Sequence, residues 1–163
     1  MINAIVAIQE KDRGIGYKGD LLYSIPEDMI HFRNMTTHHI VVMGRSTWES
    51  IPEKYRPLTN RINIVLTRDK DYVADGAHVF YDKESVLAFA EEQEVDTWII
   101  GGNQIYELFF PEIEKIYITK IYGEKKADTF FPEYEKDFSF TKQGKQRQHK
   151  EIPYQFFIYK KRQ

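Results

Sequence analysis

Short apolar runs alternate with amphipathic ones along most of the chain. Ile2–Ile8, Ile40–Met43, Ile62–Thr67, His78–Tyr81, Thr97–Ile100 and Lys115–Ile121 are rich in isoleucine, valine and aromatic residues, a pattern that predicts strands. Several are almost continuously apolar, as strands covered on both faces are. Helical spacing of apolar positions predicts helices over Pro26–Met35, Ser46–Ser50, Glu84–Glu91 and Asn103–Phe110, with Asp82 capping the third and Pro111 stopping the fourth. Alternation of this kind predicts an α/β fold built on a mostly parallel sheet with helices on both faces. Phe138–Lys142 and Tyr154–Lys160 break the rhythm: two strands with no helix between them predict an antiparallel edge. No repeat and no Pro/Gly-rich linker interrupts the chain, and 163 residues make one domain.

Composition narrows the function. With 42% hydrophobic and 29% charged residues the chain reads as a globular protein rather than a disordered one. A formal net charge of -2 offers no broad positive field for nucleic acid or an anionic membrane, though a few arginines can still hold a small anion. No cysteine is present, so thiolate catalysis and cysteine zinc sites are excluded. The opening MINAIVAIQEKDR lacks a basic lead and reads as a strand, and no run is long enough to span a membrane. These features make the cytoplasm the expected location. His38-His39 lacks a third ligand at metal spacing, so no metal is expected. His31 and His149 are expected in solvent, and Lys142–Lys150 as an exposed hairpin.

Four stretches carry candidate chemistry. Gly14, Gly16 and Gly19 spell G-x-G-x-x-G, but a dinucleotide fingerprint needs a helix directly after its glycines. Here the next helix starts only at Ser24–Pro26, where Ser24-Ile25-Pro26-Glu27 has the form of a capping box. The glycines are therefore expected in a mobile loop beside a pocket, of the kind that acts as a lid. In the helix that follows, Asp28, Phe32 and Met35 fall at i, i+4 and i+7, while Glu27, His31 and Asn34 make a separate polar stripe. Asp28 is thus expected among apolar groups, at the bottom of a cleft or at its boundary, with Glu27 toward water. Finally, Ile99-Ile100-Gly101-Gly102-Asn103 and Met43-Gly44-Arg45-Ser46-Thr47 each run from a strand through glycine into a helix, which suits two phosphates of a pyrophosphate or, equally, two ordinary turns.

The ordered set of IVAIQ, IGYKGDLLYSIPEDMIHFRNMT, VVMGRSTWESIP, RPLTNRINIVLTR, WIIGGNQIYELFFP, KIYITKI and DTFFPEY resembles dihydrofolate reductase over nearly the whole chain. The resemblance implies an eight-stranded sheet, and NADPH-dependent reduction of 7,8-dihydrofolate by hydride transfer to pterin C6 with protonation at N5. Asp28 matches the carboxylate that bonds the pterin, with a water delivering the proton, and Thr119 matches the threonine that orients it. Ile5 and Ile100 would offer carbonyls to the pterin. Met29 and Phe32 would pack on the substrate from one side, Ile51 and Leu58 from the other. Arg61 would fork onto its glutamate α-carboxylate.

For the cofactor, the resemblance implies Ala7 at the nicotinamide amide and Tyr106 near the ring. Arg45, Thr67 and Arg68, beside Gly44 and Leu66, would recognise the 2′-phosphate. Ser46, Thr47, Gly101, Gly102, Asn103, Gln104 and Ile105 would cradle the pyrophosphate, with a cis Gly101–Gly102 bond. The glycine loop becomes a lid, with Ile15, Gly16, Gly19, Asp20 and Leu21 on the cofactor. Where the family commonly reads Leu-Pro-Trp, this chain has Leu21-Leu22-Tyr23. Loss of the proline is expected to loosen the lid's exit. The Tyr23 hydroxyl is expected to replace the indole N–H as holder of an active-site water, and Leu22 to alter the fit of diaminopyrimidine antifolates. Pro52–Arg56 resembles the animal-type version of the loop and leaves Arg56 without an assigned role. Methotrexate and diaminopyrimidines are the expected inhibitors, and a monomer the expected state. The alternatives are a related pteridine or pyrimidine reductase, disfavoured by Arg61 beside Asp28, and a non-catalytic NADPH- or folate-binding protein.

Overall fold

The computed structural model describes residues 1–163. Its strands are β1 (Ile2–Gln9), β2 (Gly14–Tyr17), β3 (Asp20–Leu21), β4 (Ile40–Gly44), β5 (Ile62–Leu66), β6 (His78–Phe80), β7 (Thr97–Gly101), β8 (Lys115–Ile121), β9 (Thr129–Phe130), β10 (Phe138–Gln143), β11 (Arg147–His149) and β12 (Ile152–Lys161). The helices are α1 (Pro26–Thr36), α2 (Arg45–Ser50), α3 (Lys83–Glu92) and α4 (Asn103–Phe109). Every strand and helix expected from the apolar pattern is present, with ends shifted by a residue or two.

Eight strands form the main path, in the order β10-β12-β8-β1-β7-β4-β5-β6. The neighbours from β8 to β6 are parallel, and β12 runs antiparallel to both β8 and β10. The antiparallel edge is thus two strands wide. Alternate β1 side chains serve opposite faces, as the two-residue period of a strand requires. Ala4, Val6 and Ile8 join the larger core with α3 and α4, whose Val86, Ala90, Tyr106 and Phe109 are buried there. Ile5 joins a second core formed by Val41, Met43 and Trp48, against which Phe32 and Met35 of α1 pack. Helices therefore cover both faces, and α1 lies on the face that Ile5 serves.

The glycine segment is an ordered ribbon rather than a free loop. β2 pairs with β1, β3 and β9. A Cβ at Gly14 would come within 2.6 Å of the Ala127 Cβ, and one at Gly16 within 2.7 Å of the Thr129 Oγ1. These two glycines admit the close approach of the β9 segment. That is a packing demand, with no phosphate involved.

The capping box does not form. Ile25 takes the N-cap position of α1 with no side-chain cap. Glu27 turns instead to the C-terminal strands, accepting from the Tyr154 hydroxyl at 2.6 Å and from Arg147 at 3.0 Å. These two partners tie the first turn of α1 to the C-terminal strands, and the negative charge of Glu27 lies where the helix's free amides favour it. Asp82 does cap α3, accepting from the Ser85 amide at 2.7 Å. Lys142–Lys150 is largely exposed, as expected of the hairpin, but β11 returns to pair with β12.

Phe109 is fully buried in the larger core. Phe109→Ala is expected to lower unfolding free energy by about 3–5 kcal/mol, the usual cost of truncating a buried aromatic. Urea unfolding followed by tryptophan fluorescence measures it.

Candidate active site

The cleft begins where two central strands part. β1 pairs with β7 only from Ile2 opposite Thr97 to Ala4 opposite Ile99, whereas its pairing with β8 continues to Gln9. On the other side of β7 the ladder slips. Ile99 faces Val42 and Gly101 faces Met43, so Ile100 has no rung. The backbones of Ile5–Ala7 and Ile100 therefore border a gap at the C-terminal ends of parallel strands, where open α/β sheets place ligands. Beneath it lies Tyr106, fully buried, with its ring edge-on to Phe131 and its hydroxyl donating to the Ile5 carbonyl at 2.8 Å. Burial, and to a lesser degree the charge of Asp28, push its ionisation above the ordinary range, so it remains a neutral donor. The Ile5 oxygen keeps one lone pair for a ligand.

Asp28 enters this gap from α1. Thr119 lies opposite Ala7 on the β1–β8 ladder, and its hydroxyl donates to Asp28 Oδ1 at 2.6 Å. Burial pushes the Asp28 carboxyl above its usual range. The Thr119 hydrogen bond and the nearby His31 pull it partly back. A carboxylate with one oxygen bonded and the other free suits a ligand that presents N–H groups or positive charge. His31 is not in open solvent. It is half-buried, 4.4 Å from the Phe156 ring, and burial lowers its pKa against the opposing pull of Asp28 and Glu27. Glu27 faces water as expected, its side chain 41% exposed while Arg147 and Tyr154 hold it.

Around the gap, Phe32, Ile51, Leu58 and Ile100 pack at the margin of the second core, and Met29 on α1 is exposed. The Asn63 side chain holds the Leu58 backbone on both sides, accepting from its amide and donating to its carbonyl at 2.9 Å each. This fixes the loop carrying Arg61. Arg61 donates through Nε to the Thr59 carbonyl at 2.9 Å and through Nη1 to the Thr36 hydroxyl at 3.1 Å. Its guanidinium sits 5.7 Å from the Phe32 ring centre. Three of its five N–H groups stay free, enough for a bidentate carboxylate. Arg56 has a structural task that the sequence did not disclose: Nη1 donates to the carbonyls of Trp48 and Ile51 at 3.2 and 3.1 Å, tying the loop after α2 to that helix.

Two further sets of residues gather at the ends of β4, β5 and β7. The Thr47 hydroxyl faces the double glycine: a Cβ at Gly101 would lie 3.6 Å from it and 3.5 Å from Tyr106. The Gly101–Gly102 peptide is cis, as the resemblance implies. Asn103, Gln104 and Ile105 open α4 directly after it. Gly44 pairs with Leu66, so Arg45 and Thr67 leave adjacent strands side by side, with Arg68 exposed next to them. Ile15, Gly16, Gly19, Asp20 and Leu21 all lie in the ribbon, and Leu21 is among the most exposed large apolar residues.

Tyr23 departs from expectation. Its hydroxyl is bonded to the Gln9 side chain, not directed at Asp28. Gln9 is fully buried and serves as a hub, also taking the Lys125 amide at 2.7 Å and donating to the Lys125 carbonyl and to Asp12 at 2.7 and 3.2 Å. At the exit from the ribbon Lys125 Nζ also donates to the Leu22 carbonyl at 2.9 Å. No group of three His, Cys, Asp or Glu could hold a metal ion. His39 accepts from the Trp98 indole at 3.1 Å, a packing role. No helix is long and apolar enough to cross a membrane.

A family model described as dihydrofolate reductase matches residues 1–161. The dihydrofolate reductase of Mycobacterium tuberculosis is 44% identical over 107 residues, covering 66% of this chain and 63% of that protein. The chain thus aligns with just under two thirds of that relative's length. The Bacillus subtilis enzyme is 35% identical over 165 residues, covering 99% of this chain and 95% of that one. Among solved structures, dihydrofolate reductase from Enterococcus faecalis, complexed with NADP(H) and RAB-propyl, superposes with a TM-score of 0.90 at 32% identity, covering 100% of this chain and 97% of the other.

Two outcomes follow from the electrostatics of Asp28. Thr119→Val removes the bond that favours the charged form, so the Asp28 carboxyl is expected to titrate at still higher pH, read by carboxyl-selective NMR or infrared titration. An acid whose pKa is higher folded than unfolded binds its proton more tightly when folded. Its contribution to stability is thus present at acid pH and lost as pH rises. Asp28→Asn is therefore expected to be more stable than the parent at neutral pH, with the difference closing toward the ordinary carboxylate range. Thermal unfolding across pH tests this.

Proposed function

The chain belongs to the dihydrofolate reductase family, and on that premise we propose that it reduces 7,8-dihydrofolate to tetrahydrofolate with NADPH. The observation that carries the reading is the Thr119–Asp28 pair at the parting of β1 and β7, with Arg61 on the rim of the same cleft. Asp28 would accept from the ring N–H groups of a pterin. Its negative charge, in a place where water is thinned out, favours the protonated, more electrophilic ring at the moment hydride arrives. Thr119 holds the carboxylate at one oxygen and leaves the other for the ligand. Asp28 acts on the proton through solvent, since Tyr23 is engaged with Gln9. The Ile5 and Ile100 carbonyls would take the pterin amino group, Met29, Phe32, Ile51 and Leu58 would enclose the ring system, and Arg61 would grip the glutamate tail. That last contact favours a folate over a pteridine or pyrimidine without a tail.

The residues present fit a reduced phosphorylated dinucleotide. The double glycine has room on the side that a Cβ would fill, facing the Thr47 hydroxyl. The Arg45, Thr67 and Arg68 corner has the cations and hydroxyl that a 2′-phosphate requires. When bound, this cofactor supplies the hydride. Ala7 would hold the carboxamide through its backbone, and the β2–β3 ribbon would shield the ring from water. The same reading makes residues 1–163 a single domain. It also places the protein in the cytoplasm as a monomer and a target for diaminopyrimidine and methotrexate-like antifolates.

Purified protein is expected to oxidise NADPH only when dihydrofolate is added. Asp28→Asn should lower kcat by roughly a hundredfold or more at neutral pH, on the scale of a lost acid–base group. The deficit should shrink in acid, where solvent protonates the substrate. Equal activity of parent and variant across pH would reject the role of Asp28. Tight binding of both ligands without turnover would favour the non-catalytic reading.

A further inference from the structure

The corner assigned above to a 2′-phosphate contains a carboxylate that such a site does not need. Arg45 donates through Nε to Glu49 at 3.2 Å and through Nη1 to Asp69 at 3.3 Å. Its guanidinium lies 4.4 Å from the Tyr72 ring centre, and the Tyr72 hydroxyl donates to the same Glu49 oxygen at 2.9 Å. Glu49 and Tyr72 alone would hold the Arg45 side chain in place, one along its inner edge and one against its face. Asp69 is different. It follows Thr67 and Arg68 on the loop leaving β5, and it sits on the outer end of the guanidinium. Its backbone amide donates to the Thr67 hydroxyl at 3.2 Å, and its Oδ1 accepts the Asp71 amide at 3.0 Å, so the carboxylate is fixed by the loop rather than swinging freely. Both Arg45 and Asp69 are about half exposed, which leaves room for a ligand beside them.

We propose that Asp69 sets the cofactor selectivity of this protein by competing with a ligand's 2′-phosphate for Arg45, which narrows the preference for the phosphorylated dinucleotide over the unphosphorylated one. This rests on the reading above that Arg45, Thr67 and Arg68 meet the 2′ position. A phosphate monoester brings between one and two negative charges. Reaching Arg45, it must either displace Asp69 or lie beside it, and either course costs binding free energy that a 2′-hydroxyl does not pay. Half exposure and salt keep the effect moderate. A purely structural Asp69, one that merely steadies Arg45 for the phosphate, would act in the opposite sense. The two roles therefore differ in sign.

The experiment is titration of NADPH and of NADH into the parent, Asp69→Asn and Asp69→Ser, followed by quenching of tryptophan fluorescence, at low and at high salt. Both variants are expected to bind NADPH about threefold to tenfold more tightly than the parent at low salt, with a smaller gain at high salt. NADH affinity should stay within about twofold, which also shows that the loop is intact. Weaker NADPH binding with NADH unchanged would overturn the proposal in favour of a structural role, as would no change, or equal changes for both dinucleotides. If the parent binds neither dinucleotide, the cofactor reading itself fails, and this inference fails with it.

Discussion

The parting of β1 from β7 after the Ala4–Ile99 rung governs the arrangement of this molecule. Two parallel strands at the centre of a sheet normally keep their ladder, because unpaired buried backbone groups cost free energy. Here the ladder is given up on one side and the loss is repaired piecemeal. The Tyr106 hydroxyl takes the Ile5 carbonyl, and a slip against β4 leaves Ile100 outside the ladder. What remains unsatisfied borders a cleft, and a ligand with matching polar groups can complete it. Asp28 projects into that cleft because α1 packs on the face of the sheet that Ile5 serves. Thr119 meets the carboxylate because β8 keeps its register with β1 through Ala7.

The architecture was legible in the sequence because its signals are local and repeated. Near-continuous Ile/Val runs read as doubly covered strands, and the stripe of Asp28, Phe32 and Met35 put Asp28 on the apolar side of its helix. No helix directly follows the three glycines, which separates them from the phosphate fingerprint. The local pattern failed wherever a partner lay far along the chain. Ser24-x-x-Glu27 has the letters of a capping box, yet Glu27 is claimed by Tyr154 and Arg147, more than a hundred residues away. His31 looked like a surface residue until Phe156 came to lie on it. Tyr23 stands where the resemblance implies an indole holding an active-site water, but a buried glutamine engages its hydroxyl instead. Gln9 reads in sequence as nothing more than the polar end of a strand. Its burial and its bonds to Asp12, Tyr23 and Lys125 are what tie the ribbon, the lead into α1 and the loop after β8 together.

The arginines show why residue type alone under-determines a role. Arg45, Arg56 and Arg61 lie within seventeen residues of one another, yet their surroundings separate them. Arg56 gives one nitrogen to two backbone carbonyls and becomes part of the scaffold. Arg61 keeps most of its fork free, beside an aromatic face. Arg45 is free only in part, held by carboxylates on two sides. Each has two of its five N–H groups engaged, so what a guanidinium can recognise here is set by which partners hold it, carbonyls, a hydroxyl or carboxylates, and not by the number of donors used.

The bonds from Glu27 to Tyr154 and from Asp28 to Thr119 span 127 and 91 residues of sequence. Synthesis on the ribosome runs from the N-terminus, so α1 emerges long before either anchor exists. During that interval the helix carries two adjacent carboxylates with no cap and no partner, and nothing fixes which way they face. Only when β12 has emerged and paired with β8 can both be seated. The competence of the cleft is thus a late event in the life of each molecule, and a nascent chain stalled before Tyr154 would hold most of the sheet but not the seated first turn of α1.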